Sequence, residues 1–185
     1  MKALAVLGSY RKGEGNTAGL LDMLLGELRA LGTECENIWL PSLNIGGCRG
    51  CNWCQNEGAA TGRRCLIDDG MQELYDDIEQ SALLVVATPV YMWHVTSQTK
   101  AFIDRLYTYA NGGLAGKRMA AVMTAGGNAF DGMDLAVQSL MRFADYNKME
   151  YRGTLYCAPA DSRKDLQTRG LPELAKELAA ELMKE

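Results

Sequence analysis

"KALAVLGSYRKGEGNT" (residues 2–17) is the stretch on which the fold turns. Its first seven residues (2–8) form a short, almost continuous apolar run, as in a strand covered on both faces. A glycine-rich loop follows. Leu20, Leu21, Leu24, Leu25, Leu28 and Leu31 then recur at helical spacing, and Gly32 marks the stop. Buried strand, glycine loop and amphipathic helix, in that order, open a parallel α/β sheet.

The rest of the chain repeats the alternation. "TECENIWL" (33–40) reads as a second strand ended by Pro41, and residues 41–70 as loop. A helix over 71–80 leads to "ALLVVATP" (82–89), the clearest buried strand. Residues 97–110 form an amphipathic helix with Phe102, Ile103, Leu106 and Tyr107 on one face; Lys100, Asp104 and Arg105 read as surface or interface ion pairs. Strands over 118–126 and 151–157 and helices over 131–146 and 171–184 complete the chain. The last helix has a stripe of Leu171, Leu174, Leu178 and Leu182. No repeat or linker interrupts residues 1–185, so one domain is expected. Ligands of such sheets bind beyond the carboxyl ends of the strands, where the winding reverses. That rule selects loops 8–17, 88–97 and 124–131.

Composition narrows the function classes. A net charge of −4 leaves no basic footprint for nucleic acid or anionic lipid. The apolar runs are far too short for a membrane span. The N-terminal apolar run ends after six residues in a charged loop with no cleavage-like site, so a cytoplasmic protein is expected. Clustered cysteines in a reducing compartment point to metal or redox chemistry rather than a disulfide scaffold.

In the first loop, Gly8 and Gly13 nearly satisfy a triphosphate loop, but Glu14 stands where lysine is required. Gly13, Gly15 and Ala18 match a dinucleotide motif placed too far beyond the strand. Ser9, Arg11, Asn16 and Thr17 around Gly15 suit a terminal phosphate monoester at a helix N-terminus. A plain loop with Asn16 or Thr17 as helix cap is the alternative. In the second loop, Pro89 ends the strand, and the aromatics Tyr91 and Trp93 could flank a flat heterocycle, with the N–H groups of residues 90–93 meeting its polar edge. The alternative there is that Tyr91, Met92 and Trp93 pack between subunits or cap the core. His94, the only histidine, reads as structural. In the third loop, Thr124, Gly126 and Gly127 let backbone approach a ring closely, or form a plain turn.

"GSYRKGEGNT", "TPVYMWHVTSQTKAFIDRL" (88–106) and "CRGCNWC" (48–54) together closely resemble the flavodoxin-like NAD(P)H-dependent FMN reductases, and among them the iron–sulfur flavoprotein branch. The resemblance implies a flavodoxin-like three-layer sandwich with a five-stranded parallel sheet in the order 2-1-3-4-5. It implies FMN at the carboxyl edge and NAD(P)H as co-substrate. By position, Ser9, Arg11, Asn16 and Thr17 would hold the phosphate. Pro89 through Trp93 would border the isoalloxazine, with Thr124 and Gly126 opposite. No acid–base side chain is then required, because the flavin carries the chemistry. A homodimer or homotetramer acting on a small electron acceptor is implied.

The cysteines leave more open. Cys48, Cys51, Cys54 and Cys65 could hold a [4Fe–4S] cluster or a zinc ion, or remain free thiols. The resemblance implies a shorter gap before the fourth cysteine than the ten residues between Cys54 and Cys65. Relatives without a cluster also carry cysteines here, ahead of a helix start such as Asp68–Met71. Cys35 and Cys157 read as buried and inert, and Trp53 as a lid over the flavin. The leading function is an FMN-dependent oxidoreductase reducing flavin, quinone or another small acceptor. An electron carrier using FMN and a cluster, and a non-catalytic flavin or metal sensor, are the alternatives.

Overall fold

The computed structural model describes residues 1–61, 64–128 and 132–184. Five strands, β1 (Lys2–Leu7), β2 (Glu34–Trp39), β3 (Leu83–Pro89), β4 (Arg118–Thr124) and β5 (Glu150–Cys157), form one parallel sheet in the order β2-β1-β3-β4-β5. Helices α1 (Asn16–Ala30), α2 (Glu57–Thr61), α3 (Met71–Gln80), α4 (Ser97–Arg105), α5 (Met133–Tyr146), α6 (Asp165–Thr168) and α7 (Leu171–Met183) connect and cover it. The expected sheet order holds.

Strand alternation sorts the core into two halves. Leu4, Val6, Leu84, Val86, Met119 and Ala121 face α3, α4 and α5, meeting Leu74, Tyr75, Phe102 and Leu140. Ala3, Ala5, Leu83, Val85, Ala120 and Val122 face α1 and α7, meeting Leu21, Leu24, Leu28 and Leu182. Because both faces are covered, the central strands have no polar alternation to show in sequence.

Three helical readings are corrected. In α7 the buried face is Leu171, Ala175, Ala179 and Leu182, while Leu174 is exposed; the small alanines let the helix sit closely on α1 and β5. In α4 the α-helix ends at Arg105, and Leu106–Tyr109 tighten into a 3-10 turn. There Phe102 and Leu106 are buried and Tyr107 is exposed. Arg105 is not a surface residue: its side chain is 1% exposed and pairs with Asp69 instead of a helix neighbour. Lys100 and Asp104 do form the expected exposed pair, at 2.5 Å. The expected helix over 131–146 begins at Met133, and residue 131 lies outside the described residues.

Candidate functional site

The loop between β1 and α1 leaves the sheet at the β1/β3 boundary, where the winding reverses. The Gly8 N–H donates to the Ala87 carbonyl at 2.8 Å, and the Thr96 hydroxyl donates to the Gly8 carbonyl at 2.8 Å. A Cβ on Gly8 would collide with the buried Thr99 and Thr96 hydroxyl oxygens. Gly8→Ala is therefore expected to cost about 1–3 kcal/mol through overpacking. Urea denaturation of the variant checks this, and an unchanged midpoint would show that the threonines yield freely.

Beyond Gly8 the loop is braced from outside. Trp39 donates its indole N–H to the Ser9 carbonyl at 2.8 Å, and the Lys12 ammonium lies 4.9 Å from the Trp39 ring centre. The buried Ser9 hydroxyl accepts the Arg11 N–H at 3.3 Å. Helix α1 starts from Gly15, and no side chain caps it. Asn16 is used elsewhere: its amide donates to the Ala160 carbonyl at 2.7 Å. The capping alternative for Asn16 and Thr17 is thereby replaced by a helix end at Gly15 that no side chain among the described residues caps.

Ser9, Arg11, Gly15, Asn16, Thr17, Pro89, Val90, Tyr91, Thr124 and Gly126 line one open cleft of about 580 Å³, solvent at its mouth included. Ten of the twelve positions expected from sequence thus meet at one place. The Thr17 and Thr124 hydroxyls join across its floor at 2.6 Å, tying α1 to β4. Two lining residues, Ala125 and Ala160, were not anticipated. Ala160 belongs to the segment after β5, a fourth strand end that the same carboxyl-edge rule could have selected.

Met92 and Trp93 stand outside the lining. They form the tip of a tight turn closed by the Tyr91 N–H to the His94 carbonyl (2.9 Å) and the His94 N–H to the Tyr91 carbonyl (3.0 Å). Both have positive φ, 46° and 64°, a mirror-image turn that bulky residues adopt only under strain. Of the four N–H groups expected to meet a ring, that of Val90 is spent on the Thr124 carbonyl (2.8 Å) and that of Tyr91 on His94. Those of Met92 and Trp93 have no partner among the described residues. Trp93 packs onto Gly132, where a Cβ would strike its ring. His94 serves through its backbone. Residues 129–131 of the third loop lie outside the described residues.

A second cleft, of about 400 Å³ with its mouth included, is lined by Cys48, Cys51, Cys54 and Cys65 together. Trp53 is not among the residues lining the first cleft; it sits in a 3-10 turn (Trp53–Gln55) beside this one, so the flavin-lid reading is not supported by its position. Both ends of the ten-residue interval are fastened. Gln55 donates to the Tyr107 carbonyl at 2.6 Å and accepts from Asn111 at 3.0 Å. Arg64 makes two 2.6 Å bonds to Glu79 and a 2.8 Å ion pair with Asp76, and its carbonyl accepts from Thr108 at 2.7 Å. Residues 62 and 63 lie outside the described residues. Cys35 is half-buried and Cys157 buried.

The walls suit an anionic sulfur-ligated group. Arg49, Arg64 and Arg105 all contribute to the lining. The Gly50 N–H points to Cys48 Sγ at 3.4 Å. Burial pushes the Cys54 thiol up; Gln55 works against this, and Cys65, Cys48 and Cys51 add to it. Among the described residues no three His, Cys, Asp or Glu side chains converge closely enough to hold a single metal ion.

A parallel sheet in this order with a cleft at its switch point defines a flavodoxin-like protein. Residues 1–160 match the family model of the NADPH-dependent FMN reductases, and the chain belongs to that family. An iron–sulfur flavoprotein of Archaeoglobus fulgidus is 40% identical over 111 residues, 60% of this chain and 48% of that one, so the match spans about half of that relative. RosB, solved with bound 8-demethyl-8-formylriboflavin-5'-phosphate, superposes with a TM-score of 0.78 at 18% identity, covering 98% of this chain and 77% of that one. An FMN-dependent NADH-azoreductase of Bacillus anthracis, in complex with FMN, superposes with a TM-score of 0.70 at 15% identity, with 100% of each chain covered.

Proposed function

We propose that the chain is an FMN-dependent oxidoreductase that takes electrons from NAD(P)H and delivers them to flavin, quinone or another small acceptor. The observation that carries this is the single cleft at the β1/β3 edge, built from the phosphate-type loop and the two strand-end loops. The first N–H groups of α1, the Ser9 and Thr17 hydroxyls and the Arg11 guanidinium are the groups that would hold the phosphate. Pro89 and Val90 lie directly beside Thr124, paired with it at the sheet edge, and Tyr91 and Gly126 continue that same wall of the cleft. A Cβ on Gly126 would meet nothing within 4 Å, so backbone lies open to the cleft there. The unspent N–H groups of Met92 and Trp93 lie beyond the lining of the cleft, at the tip of the Tyr91–His94 turn. Bound FMN supplies the hydride chemistry.

Anaerobic mixing of the FMN-loaded protein with NADPH or NADH tests the reading. Flavin absorbance is expected to bleach on a catalytic timescale; flavin that stays oxidised with both donors overturns it. Arg11→Ala is expected to weaken FMN binding about ten- to hundredfold, the loss of one charge-assisted phosphate contact. Fluorescence titration with FMN measures it, and an unchanged affinity removes Arg11 from the phosphate site.

The four-thiol cleft favours a second component: a [4Fe–4S] cluster held by Cys48, Cys51, Cys54 and Cys65, as the name of the Archaeoglobus relative suggests. A carrier role for FMN and cluster together is the reading that remains if nicotinamide fails to reduce the flavin. Exposed Tyr10, Tyr91, Met92 and Trp93 near the cleft support a homodimer or homotetramer, which sedimentation checks. Among the described residues no helix is long and apolar enough to cross a membrane, and a cytoplasmic site of action is proposed with the rest.

A further inference from the structure

Arg105 lies in the wall of the thiol cleft with its side chain 1% exposed. A guanidinium carries five N–H donors in a fixed fork. Four are accounted for. Nη1 donates to the Gly46 carbonyl (3.0 Å) and Asp69 Oδ2 (2.6 Å). Nη2 donates to the Ile67 carbonyl (3.2 Å) and Asp69 Oδ1 (3.1 Å). The fifth, on Nε, is buried and has no partner among the described residues. Leaving a buried donor of a charged group without a partner is costly, so such a donor calls for an explanation, an ion or group bound at the site among them. The four acceptors all belong to the segments that flank the cysteines, residues 46, 67 and 69, which fixes the fork against the cleft wall.

We propose that the Arg105 Nε–H donates a hydrogen bond to a sulfur of the iron–sulfur group held in this cleft, stabilising its reduced state. The inference rests on the cluster reading above. A donor aimed at cluster sulfur favours the form with more negative charge and raises the reduction potential. Arg105 would thus set how readily the cluster accepts an electron, in addition to clamping the loop that holds it.

The test uses the full chain, reconstituted anaerobically with iron and sulfide, in wild-type, Arg105→Lys and Lys100→Ala forms. Lysine keeps the positive charge but lacks the Nε–H fork, so charge alone cannot explain a difference. An EPR-monitored redox titration is expected to show Arg105→Lys shifted to a more negative midpoint. A tenfold change in the reduction equilibrium, about 59 mV for one electron, is the expected scale. Lys100→Ala, on the exposed face of the same helix, is expected to match wild type. Wild-type protein carrying 15Nε-labelled arginine is expected to show 15N hyperfine coupling in the reduced cluster, a readout that needs no variant to fold. Iron uptake by wild type with neither coupling nor a midpoint shift overturns the role of Arg105 and leaves the cluster standing. Coupling that persists in labelled Arg105→Lys assigns the contact to another arginine and also overturns it. Wild-type protein that takes up no iron overturns the cluster reading and this inference with it.

Discussion

Replacing Asp69 by alanine is expected to destabilise the chain by about 3–5 kcal/mol, the cost of leaving a buried charge without its partner. At this chain length that lowers the melting temperature by roughly 6–20 °C. Arg105 holds Asp69 through two bonds, and the same carboxylate accepts the Gly46 N–H at 2.9 Å and the Met71 N–H at 3.1 Å. One deletion therefore strands a guanidinium and two backbone donors, and unfastens the entry to α3 from the end of the cysteine segment. Circular dichroism melts measure the effect. A shift below about 2 °C would mean that solvent reaches Arg105 and replaces the carboxylate. The pair also sets an acid limit. Burial pushes the Asp69 carboxyl up, but Arg105 and the Gly46 and Met71 N–H groups pull it down further, to a net value below the ordinary 3.8. A depressed carboxyl contributes stability that is complete above its unfolded value and lost as pH falls through the lower folded one. Asp69→Asn is expected to flatten that acid limb, and an unaltered limb would assign it to other carboxyls.

Cys65→Ala is expected to abolish most iron uptake, from about four irons per chain to a small residue, while FMN stoichiometry stays at the wild-type level. Cys65 is the thiol whose spacing departs from the family pattern, yet it lines the same cleft as the other three. Cys35→Ser is the control. Its thiol sits at the other end of the molecule's sequence logic, on β2, where it donates to the Thr33 carbonyl at 3.5 Å. Iron, sulfide and flavin analysis after anaerobic reconstitution decides the matter. Full iron retention in Cys65→Ala would show that three cysteines suffice or that a different ligand completes the set.

The sheet and most of the first cleft were legible because burial leaves a direct trace in sequence. A strand covered on both faces must be apolar throughout, and "ALLVVATP" can hardly be anything else. The loops followed from topology, since a parallel sheet wound both ways must open at its carboxyl edge. What escaped was pairwise. Arg105 looks like any charged residue on a polar helix face; its burial depends on Asp69, which lies thirty-six positions earlier in a segment with no periodicity. Ala160 has no chemistry of its own and enters the site through its carbonyl, which every residue possesses. The spent N–H groups of Val90 and Tyr91 were hidden for the same reason: backbone partners are set by geometry and carry no side-chain signature.

The fastening of Gln55 and Arg64 has a consequence for how ligand spacing evolves. Both ends are held, α2 begins the stretch between them, and for flexible residues added to such a closed stretch the entropy of closure grows only with the logarithm of length. Doubling such a loop costs about 0.6 kcal/mol, less than a single buried hydrogen bond is typically worth. Flexible residues can thus be added between Cys54 and Cys65 at small thermodynamic penalty, provided the knots at either end stay tied. For this cleft the interval that matters is between anchors in space, and Gln55 and Arg64 are as much a part of its signature as the cysteines beside them.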